Sequence, residues 1–170
     1  KRQIKEEAVV LDIGTGSGCL AVSVAVHAGE TTIHAIDISS AAINVARANA
    51  ERHGVAERII FHEGDARVAL PGTCLFDVIV SNPPYIPSAE IESLQIEVRD
   101  HDPRLALDGG LDGLEFYRSL AVSCLSRLRS DGRLLLEVGD GQGEVVADLI
   151  TAQGGRVLEI LPDLNNIERI

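Results

Sequence analysis

The sequence predicts an α/β fold built on a mostly parallel sheet, and two patterns carry that prediction. Short apolar runs alternate with segments of helical periodicity, which is typical of strand-helix-strand crossovers with helices over the sheet. Aromatic residues make up 3% of the 170 residues and hydrophobic residues 45%. The core must therefore depend on aliphatic side chains, as parallel sheets do, and one domain over residues 1–170 is expected.

Each element follows from a local pattern. The first strand lies in an apolar run that passes through glycines into an apolar helix, within residues 9–20. Further strands are predicted at residues 32–36, 58–62, 76–81, 132–138 and 156–161, where apolar runs are short and bounded by turn residues. Helices are predicted at residues 39–53, 113–129 and 143–153, because apolar residues recur there at helical spacing and glycines follow two of them.

A glycine-rich turn and two acidic residues predict a rim that binds a nucleoside. Gly14, Gly16 and Gly18 permit a tight turn and a close approach of a ligand to the backbone. Asp37 ends the second strand about twenty residues later, where an acidic side chain is expected to bind a ribose diol. Asp65 follows the third strand. For each element alone, a packing loop or a helix N-cap is the simpler interpretation; the ordered set favours a nucleoside.

The residues Asn82, Pro83, Pro84 and Tyr85 follow the apolar run at residues 76–81. The Asn82 carboxamide oxygen and the Pro83 carbonyl can each accept a hydrogen bond from one hydrogen of the same –NH₂ group. Tyr85 can stack on the planar group and fix its orientation. The pattern predicts a site that positions an amide or exocyclic amine. A rigid turn that closes a buried strand is the alternative interpretation.

Composition disfavours several function classes. A net charge of −11 disfavours a broad nucleic-acid surface, which needs clustered Lys and Arg; it suits a basic partner or simply solubility. The cysteines form no CxxC pair and the histidines show no metal-binding spacing, so no metal is predicted. No apolar run approaches the roughly 20 residues that span a bilayer and no signal peptide is recognised, so a cytoplasmic protein without membrane contact is expected.

The chain resembles class I S-adenosylmethionine-dependent methyltransferases, and more narrowly the family that methylates glutamine in peptide-chain release factors. The resemblance runs from about Val9 to the end of the chain. Its motifs are LDIGTGSG at residues 11–18, GDA at 64–66, SNPPYI at 81–86 and LLLEVGDGQG at 134–143. NPPY is shared with other amine methyltransferases, whereas EVRDHDPRLALDGGLDGL at 97–114 is specific to the release-factor type.

The resemblance implies a Rossmann-like three-layer sandwich whose last strand is antiparallel and, because the chain stops at Ile170, truncated. It implies S-adenosylmethionine as cofactor, S-adenosylhomocysteine as product, and methylation of the glutamine side-chain amide nitrogen in the GGQ segment of a release factor. The implied cofactor-binding residues are Gly14, Thr15, Gly16, Ser17, Gly18, Asp37, Asp65, Ala66 and Asn82. The implied substrate-binding residues are Asn82, Pro83, Pro84 and Tyr85, of which Asn82, Pro83 and Tyr85 are catalytic.

Two departures from the family pattern accompany the resemblance. Relatives carry an N-terminal helical domain that helps to bind the release factor, and this chain has only a few residues before the first strand, so that domain is expected to be absent. Ala66 stands where some relatives place an aromatic ring, so adenine stacking is expected to be weaker or supplied elsewhere. An amine methyltransferase acting on nucleic acid or another protein, a dehydrogenase-type nucleotide-binding module and a non-catalytic remnant remain alternatives.

The segment at residues 86–113 is long and polar, and such segments are usually functional or disordered. We expect a partly mobile lid beside Tyr85. Arg99 and Arg104 are expected to pair with nearby carboxylates rather than with a partner. Glu137, close to the end of the fifth strand, is expected either to orient the NPPY loop or to serve packing.

Overall fold

The computed structural model describes residues 7–170, which divide into two compact units. The first unit comprises the described residues up to Ser81 together with Ser126–Leu135, and the second comprises Asn82–Leu125 and Leu136–Ile170. The glycine-rich turn belongs to the first unit, and the NPPY segment begins the second.

The sheet belongs to the first unit except for its last residue and has the strand order β3-β2-β1-β4-β5. The strands are β1 (Val9–Ile13), β2 (Thr32–Asp37), β3 (Ile59–Glu63), β4 (Phe76–Ser81) and β5 (Leu128–Leu136). β1 pairs in parallel with β2 and with β4, and β2 pairs in parallel with β3. The predicted α/β class with a mostly parallel sheet is confirmed.

β1 is the central strand, and it is buried on both faces. Val10, Leu11 and Ile13 are at most 1% exposed. Ala21 and Ala25 of the helix α1 (Cys19–His27) belong to the same buried cluster as Val10. Burial on both faces is what the middle of a parallel sheet requires, and small side chains on the helix permit a close approach to the strands.

The second helix, α2 (Ser40–Arg52), lies within one residue of the predicted 39–53 at each end. Its N-cap is Ser39, whose hydroxyl oxygen accepts a hydrogen bond from the Ala42 N–H at 3.2 Å. It ends before Gly54, which has a φ of +68°. A polar cap at the start and a left-handed glycine after the end are the signals that the sequence carries for this helix.

The second unit contains the remaining four α-helices of the described residues. They are α3 (Ile96–Arg99), α4 (Arg104–Leu107), α5 (Glu115–Leu125) and α6 (Gly143–Ala152). α5 packs against α6. Tyr117 of α5 is fully buried, and its hydroxyl donates a hydrogen bond to the Glu137 carbonyl at 2.7 Å, which ties α5 to the segment after β5.

The boundary between α5 and β5 differs from the prediction. The helix predicted at 113–129 ends at Leu125, and the strand predicted at 132–138 already begins at Leu128. Arg127 explains the difference. Its carbonyl accepts a hydrogen bond from the Phe76 N–H at 2.8 Å, and its guanidinium donates to the Cys74 carbonyl at 3.0 Å. These contacts hold residue 127 beside the start of β4, so the chain leaves the helix earlier.

The strand predicted at 156–161 is wrong, and the short antiparallel last strand that the resemblance implies at the end of the chain is not confirmed. Among the described residues, 155–161 form no strand, and an isolated antiparallel bridge joins Pro162 to Glu168. The Arg169 N–H donates to the Leu161 carbonyl at 2.9 Å. The end of the chain therefore folds back on itself.

The turn at Asp163 gives the physical reason for that correction. Its carboxylate oxygen Oδ1 accepts hydrogen bonds from the N–H groups of Asn165 at 2.7 Å and Ile167 at 3.0 Å. An aspartate that bonds the backbone two residues later stabilises a turn. Backbone groups near the turn are thus satisfied locally, and a turn at residues 163–166 is what the sequence predicts.

None of the helices in the described part of the chain is long and apolar enough to cross a membrane.

Candidate active site

The glycine-rich turn connects β1 to α1 in the first unit. Gly14, Gly16 and Gly18 have φ values of +68°, +55° and +79°, which side chains larger than glycine adopt only with strain. The N–H groups of Gly14 and Thr15 both donate to the Ile36 carbonyl, at 2.9 and 3.1 Å. The turn is therefore fastened to the end of β2.

Asp37, the last residue of β2, bonds the same turn through its side chain. Its Oδ2 atom accepts a hydrogen bond from the Gly16 N–H at 2.8 Å, and its Oδ1 atom accepts one from the Ser39 N–H at 2.9 Å. Each carboxylate oxygen can accept more than one hydrogen bond. The half-buried carboxylate thus joins two loops and keeps acceptor capacity for a ligand.

Asp12 is absent from the residues predicted for the site, although it lies inside β1 directly before the turn. It is 1% exposed. Its Oδ2 atom accepts hydrogen bonds from the Thr15 hydroxyl at 2.7 Å and the Ala21 N–H at 3.1 Å, whereas Oδ1 is buried and has no hydrogen-bond partner among residues 7–170. The signal in the sequence is a carboxylate within an otherwise apolar strand.

Burial raises the pKa of the Asp12 carboxyl to about 6, the Thr15 and Ala21 hydrogen bonds oppose that rise, and the nearby Asp37 charge adds to it. A buried carboxylate with a raised pKa and an unpaired oxygen is a common feature of functional sites. Such a group favours a cation or a hydrogen-bond donor as its neighbour.

Asp65 and Ala66 follow β3, the strand that pairs with β2. The Gly64 N–H donates to the Asp37 carbonyl at 2.9 Å, so the turn after β3 is bonded to the end of β2. Asp65 forms an ion pair with Arg67 at 2.8 Å, and the hydrogen bond from Arg67 lowers the pKa of Asp65. Ala66 is 5% exposed, so its methyl group is buried rather than presented to solvent.

A groove of about 380 Å³ is lined by the end of the glycine-rich turn, by α1 and by residues near the end of α2. Of the predicted cofactor residues it includes Ser17 and Gly18, and its lining carries no carboxylate. The predicted ribose and adenine contacts, Asp37 and Asp65, are not part of it. The groove is therefore distinct from the rim that these carboxylates share.

The NPPY segment opens the second unit. Asn82 is exposed, Pro83 is fully buried, and Pro84 and Tyr85 are half-buried. In the chain it follows Ser81, the last residue of β4, whose hydroxyl donates to the Ile13 carbonyl at 2.9 Å. A buried proline directly after an exposed asparagine fixes the backbone while the carboxamide remains accessible.

Tyr85 is held by the segment after β5. Its carbonyl accepts a hydrogen bond from Gln142 Nε2 at 3.0 Å. Burial raises the pKa of the Tyr85 hydroxyl, the Glu137 carboxylate adds to that rise, and Arg169 opposes it. The hydroxyl therefore remains protonated at neutral pH, which suits a ring that stacks or donates a hydrogen bond. The Glu137 side chain thus affects the Tyr85 hydroxyl electrostatically, whereas the Glu137 backbone carbonyl accepts the hydrogen bond from Tyr117.

The segment at residues 86–113 is more regular than a simple loop. It contains α3, α4 and a 3-10 helix at Ile91–Ser93. Its two ends pair, because Ile86 forms a bridge with Asp108 and the Gly109 N–H donates to the Ile86 carbonyl at 2.8 Å. This pairing closes the segment at its base.

The arginines of this segment pair with nearby carboxylates, as expected. Arg99 bonds Asp100 at 2.8 Å, and Arg104 lies 3.4 Å from both Glu92 and Asp108. The mobility of the segment stays a prediction.

The side chains of residue types that commonly bind metals do not form a metal site in the described residues. No group of three or more His, Cys, Asp or Glu side chains within residues 7–170 is arranged to hold a metal ion.

The structure thus brings the predicted residues together in two groups. Within the first unit, the turn at residues 14–18, Asp37 and the start of the 65–66 turn are joined by hydrogen bonds, and Asp12 lies directly behind them. Within the second unit, Tyr85 is joined to Gln142. The binding roles of these residues stay predictions.

Comparison with known proteins gives a consistent set of likenesses. Residues 2–102, more than half of the chain, match the family model described as methyltransferase small domain. A release factor glutamine methyltransferase from Geobacter sulfurreducens is 44% identical over 99% of this chain and 58% of its own length. A release factor glutamine methyltransferase from Gloeobacter violaceus is 47% identical over 95% of this chain and 56% of its own length. The chain therefore spans a little over half the length of these relatives.

A solved structure with a similar fold is the ribosomal protein L11 methylase from Lactobacillus delbrueckii subsp. bulgaricus. It superposes with a TM-score of 0.69 at 22% identity and covers 98% of this chain and 69% of its own. At that identity the likeness concerns the fold alone. It confirms the predicted Rossmann-like fold of class I methyltransferases.

Proposed function

Because the chain belongs to the methyltransferase small domain family, we propose that it is an S-adenosylmethionine-dependent protein methyltransferase. Its proposed substrate is the side-chain amide nitrogen of the glutamine in the GGQ segment of a peptide-chain release factor. Residues 1–170 are proposed to form the catalytic domain, acting in the cytoplasm. The substrate class agrees with the names of the relatives.

The exposed Asn82 carboxamide is the observation that carries the proposal. It is followed by a fully buried proline and stands one residue after a buried strand end. A carboxamide oxygen and a carbonyl without an N–H on its own residue are matched acceptors for the two hydrogens of an amide –NH₂. A turn that served only to close a strand would not need an accessible carboxamide.

The residues of the first unit fit the proposed cofactor. Three glycines with positive φ give a backbone that a ligand can approach closely. The unpaired Asp12 Oδ1 atom favours a cationic neighbour. Asp37 retains acceptor capacity suited to a ribose diol. Asp65 fits less well through its carboxylate, because Arg67 already occupies it, so we assign its backbone and the adjacent Ala66 to the adenine edge.

When bound, S-adenosylmethionine supplies an electrophilic methyl group and becomes S-adenosylhomocysteine. In the proposed reaction the Asn82 carboxamide oxygen and the Pro83 carbonyl each accept a hydrogen bond from one amide hydrogen and so orient the nitrogen, and Tyr85 holds the plane of the carboxamide. An amide nitrogen is a poor nucleophile, so alignment must contribute most of the rate. The proton lost by the nitrogen passes to solvent.

The substitution Asn82→Ala tests this proposal because it removes one acceptor and leaves the backbone in place. We expect single-turnover methyl transfer to fall by at least about 100-fold, while S-adenosylmethionine affinity measured by calorimetry changes by less than about tenfold. The control is Asn44→Ala on the exposed face of α2, which should leave both quantities unchanged. Unchanged turnover in Asn82→Ala would remove Asn82 from the reaction.

A further inference from the structure

The Gln142 carboxamide uses both of its ends within the second unit. Its Nε2 atom donates to the Tyr85 carbonyl at 3.0 Å, across 57 positions of sequence. Its Oε1 atom accepts from the Gly139 N–H at 3.0 Å. Gln142 is also the N-cap residue of α6, yet its side chain makes no capping hydrogen bond to that helix. The carboxamide therefore serves Tyr85 and Gly139 rather than the helix.

Two glycines enclose this contact. A methyl group added at Gly139 would lie 2.7 Å from Gln142 Oε1 and 3.1 Å from Tyr85 Cδ2. One added at Gly113 would lie 2.8 Å from Gln142 Nε2, and Gly113 has a φ of +74°. Any larger residue at either position would displace the carboxamide or the tyrosine. Three separate segments thus shape the space in which Gln142 meets Tyr85.

We propose that Gln142 is a positioning residue for methyl transfer, acting through Tyr85; this inference rests on the proposed function. Gln142 donates a hydrogen bond to the Tyr85 carbonyl and accepts one from the Gly139 N–H. It thereby fixes the backbone that carries the Tyr85 ring. A neutral group that donates at one end and accepts at the other is required. A carboxylate would set an oxygen against the Tyr85 carbonyl, and an aliphatic side chain would leave both backbone groups unpaired.

The substitution Gln142→Glu separates this role from simple packing, because its effect depends on pH. The ionised side chain accepts from Gly139 and repels the Tyr85 carbonyl, whereas the protonated side chain donates to that carbonyl again. In the complete protein we expect kcat relative to wild type to be about 10- to 100-fold lower at pH 8 and to recover as the pH approaches 5. The KM for S-adenosylmethionine should stay within about twofold.

Gln153→Glu is the matched control, because Gln153 is exposed at the end of α6 and undergoes the same change of charge. Its kcat relative to wild type should not change with pH. Gln142→Met, which is similar in length and cannot donate, should lose activity at every pH and show no recovery at low pH. A Gln142→Glu variant that keeps wild-type kcat at pH 8, or whose loss is equal at pH 8 and pH 5, overturns the inference.

A second readout does not depend on the substrate. The chain has two tyrosines, so NMR of labelled tyrosine rings, assigned with Tyr85→Phe, reports on Tyr85 directly. In Gln142→Glu its ring resonances should shift at pH 8 and return toward wild-type positions at pH 5. Unmoved resonances overturn the inference even where turnover falls. A wild-type protein that methylates no release factor instead defeats the proposed function, and the NMR result still decides the role of Gln142.

Discussion

Asp12 and Gln142 act through contacts that the predicted motifs do not reveal. The importance of Asp12 comes from its burial and unpaired oxygen, and that of Gln142 from a bond across 57 positions. Neither property follows from local spacing.

Asp12 gives a prediction at this scale. Its pKa is raised from 3.8 to about 6 in the folded protein, so the folded state holds a proton that the unfolded state has released between these pH values. The stabilising contribution is complete below the unfolded pKa and is lost as the pH rises through about 6. The free energy of unfolding of wild type, relative to Asp12→Asn, should therefore increase by about 1 kcal/mol from pH 8 to pH 5.

Urea unfolding at both pH values measures this difference. Asparagine can keep an oxygen toward Thr15 and Ala21 and places a neutral –NH₂ at the position of the unpaired oxygen, so the variant is expected to fold. Two stability curves that remain parallel between pH 5 and pH 8 would show that Asp12 does not titrate in this range.

At the scale of elements, the packing of α1 against α2 at Gly18 can be tested by substitution. A methyl group at Gly18 would lie 2.9 Å from the Ala46 Cβ atom, whereas one at Gly54 would have no atom of the described residues within 4 Å. Both glycines have positive φ, at +79° and +68°, so both substitutions to alanine carry backbone strain. Gly18→Ala should destabilise the protein by about 1–3 kcal/mol more than Gly54→Ala.

Chemical denaturation of the two glycine variants checks this expectation, with Gly54→Ala as the control for strain alone. Equal losses of stability would mean that α1 and α2 can move apart at no cost.

Elements with strong local signals were predicted best. α2 has a serine cap and a following glycine, and its bounds agree within one residue at each end. The strand predicted at 156–161 lacked such constraints, and the backbone around Leu161 and Asp163 instead bonds within the C-terminal segment. α3 and α4 have four residues each, which is too short for a periodic pattern to reveal.

At the scale of the whole molecule, a net charge of −11 gives a prediction about partners. An acidic surface has few sites to neutralise phosphates, so binding to nucleic acid lacks the electrostatic contribution that usually dominates it. A fluorescent single-stranded oligonucleotide should show no change in anisotropy with the protein at low salt. Saturable binding that weakens steeply with added salt would instead support the alternative function, an amine methyltransferase that acts on nucleic acid.

The fold class was the part of the molecule that the sequence predicted most completely. Alternating apolar strands and helices predict a parallel sheet. The structure adds the strand order, in which β1 lies between β2 and β4. The two groups of site residues were predicted by motif, whereas the contacts that hold them, such as Asp65 with Arg67, required coordinates.

The central claim is that the chain carries out methylation of a glutamine side-chain nitrogen, with Asn82 holding the amide. Tandem mass spectrometry of a release factor incubated with the protein and deuterated S-adenosylmethionine tests it most directly. We expect one labelled methyl group on the glutamine of the GGQ segment with wild type and with Asn44→Ala, and at most about 1% of that label with Asn82→Ala in the time of one wild-type turnover. Label at another residue, or label that persists in Asn82→Ala, would contradict the account.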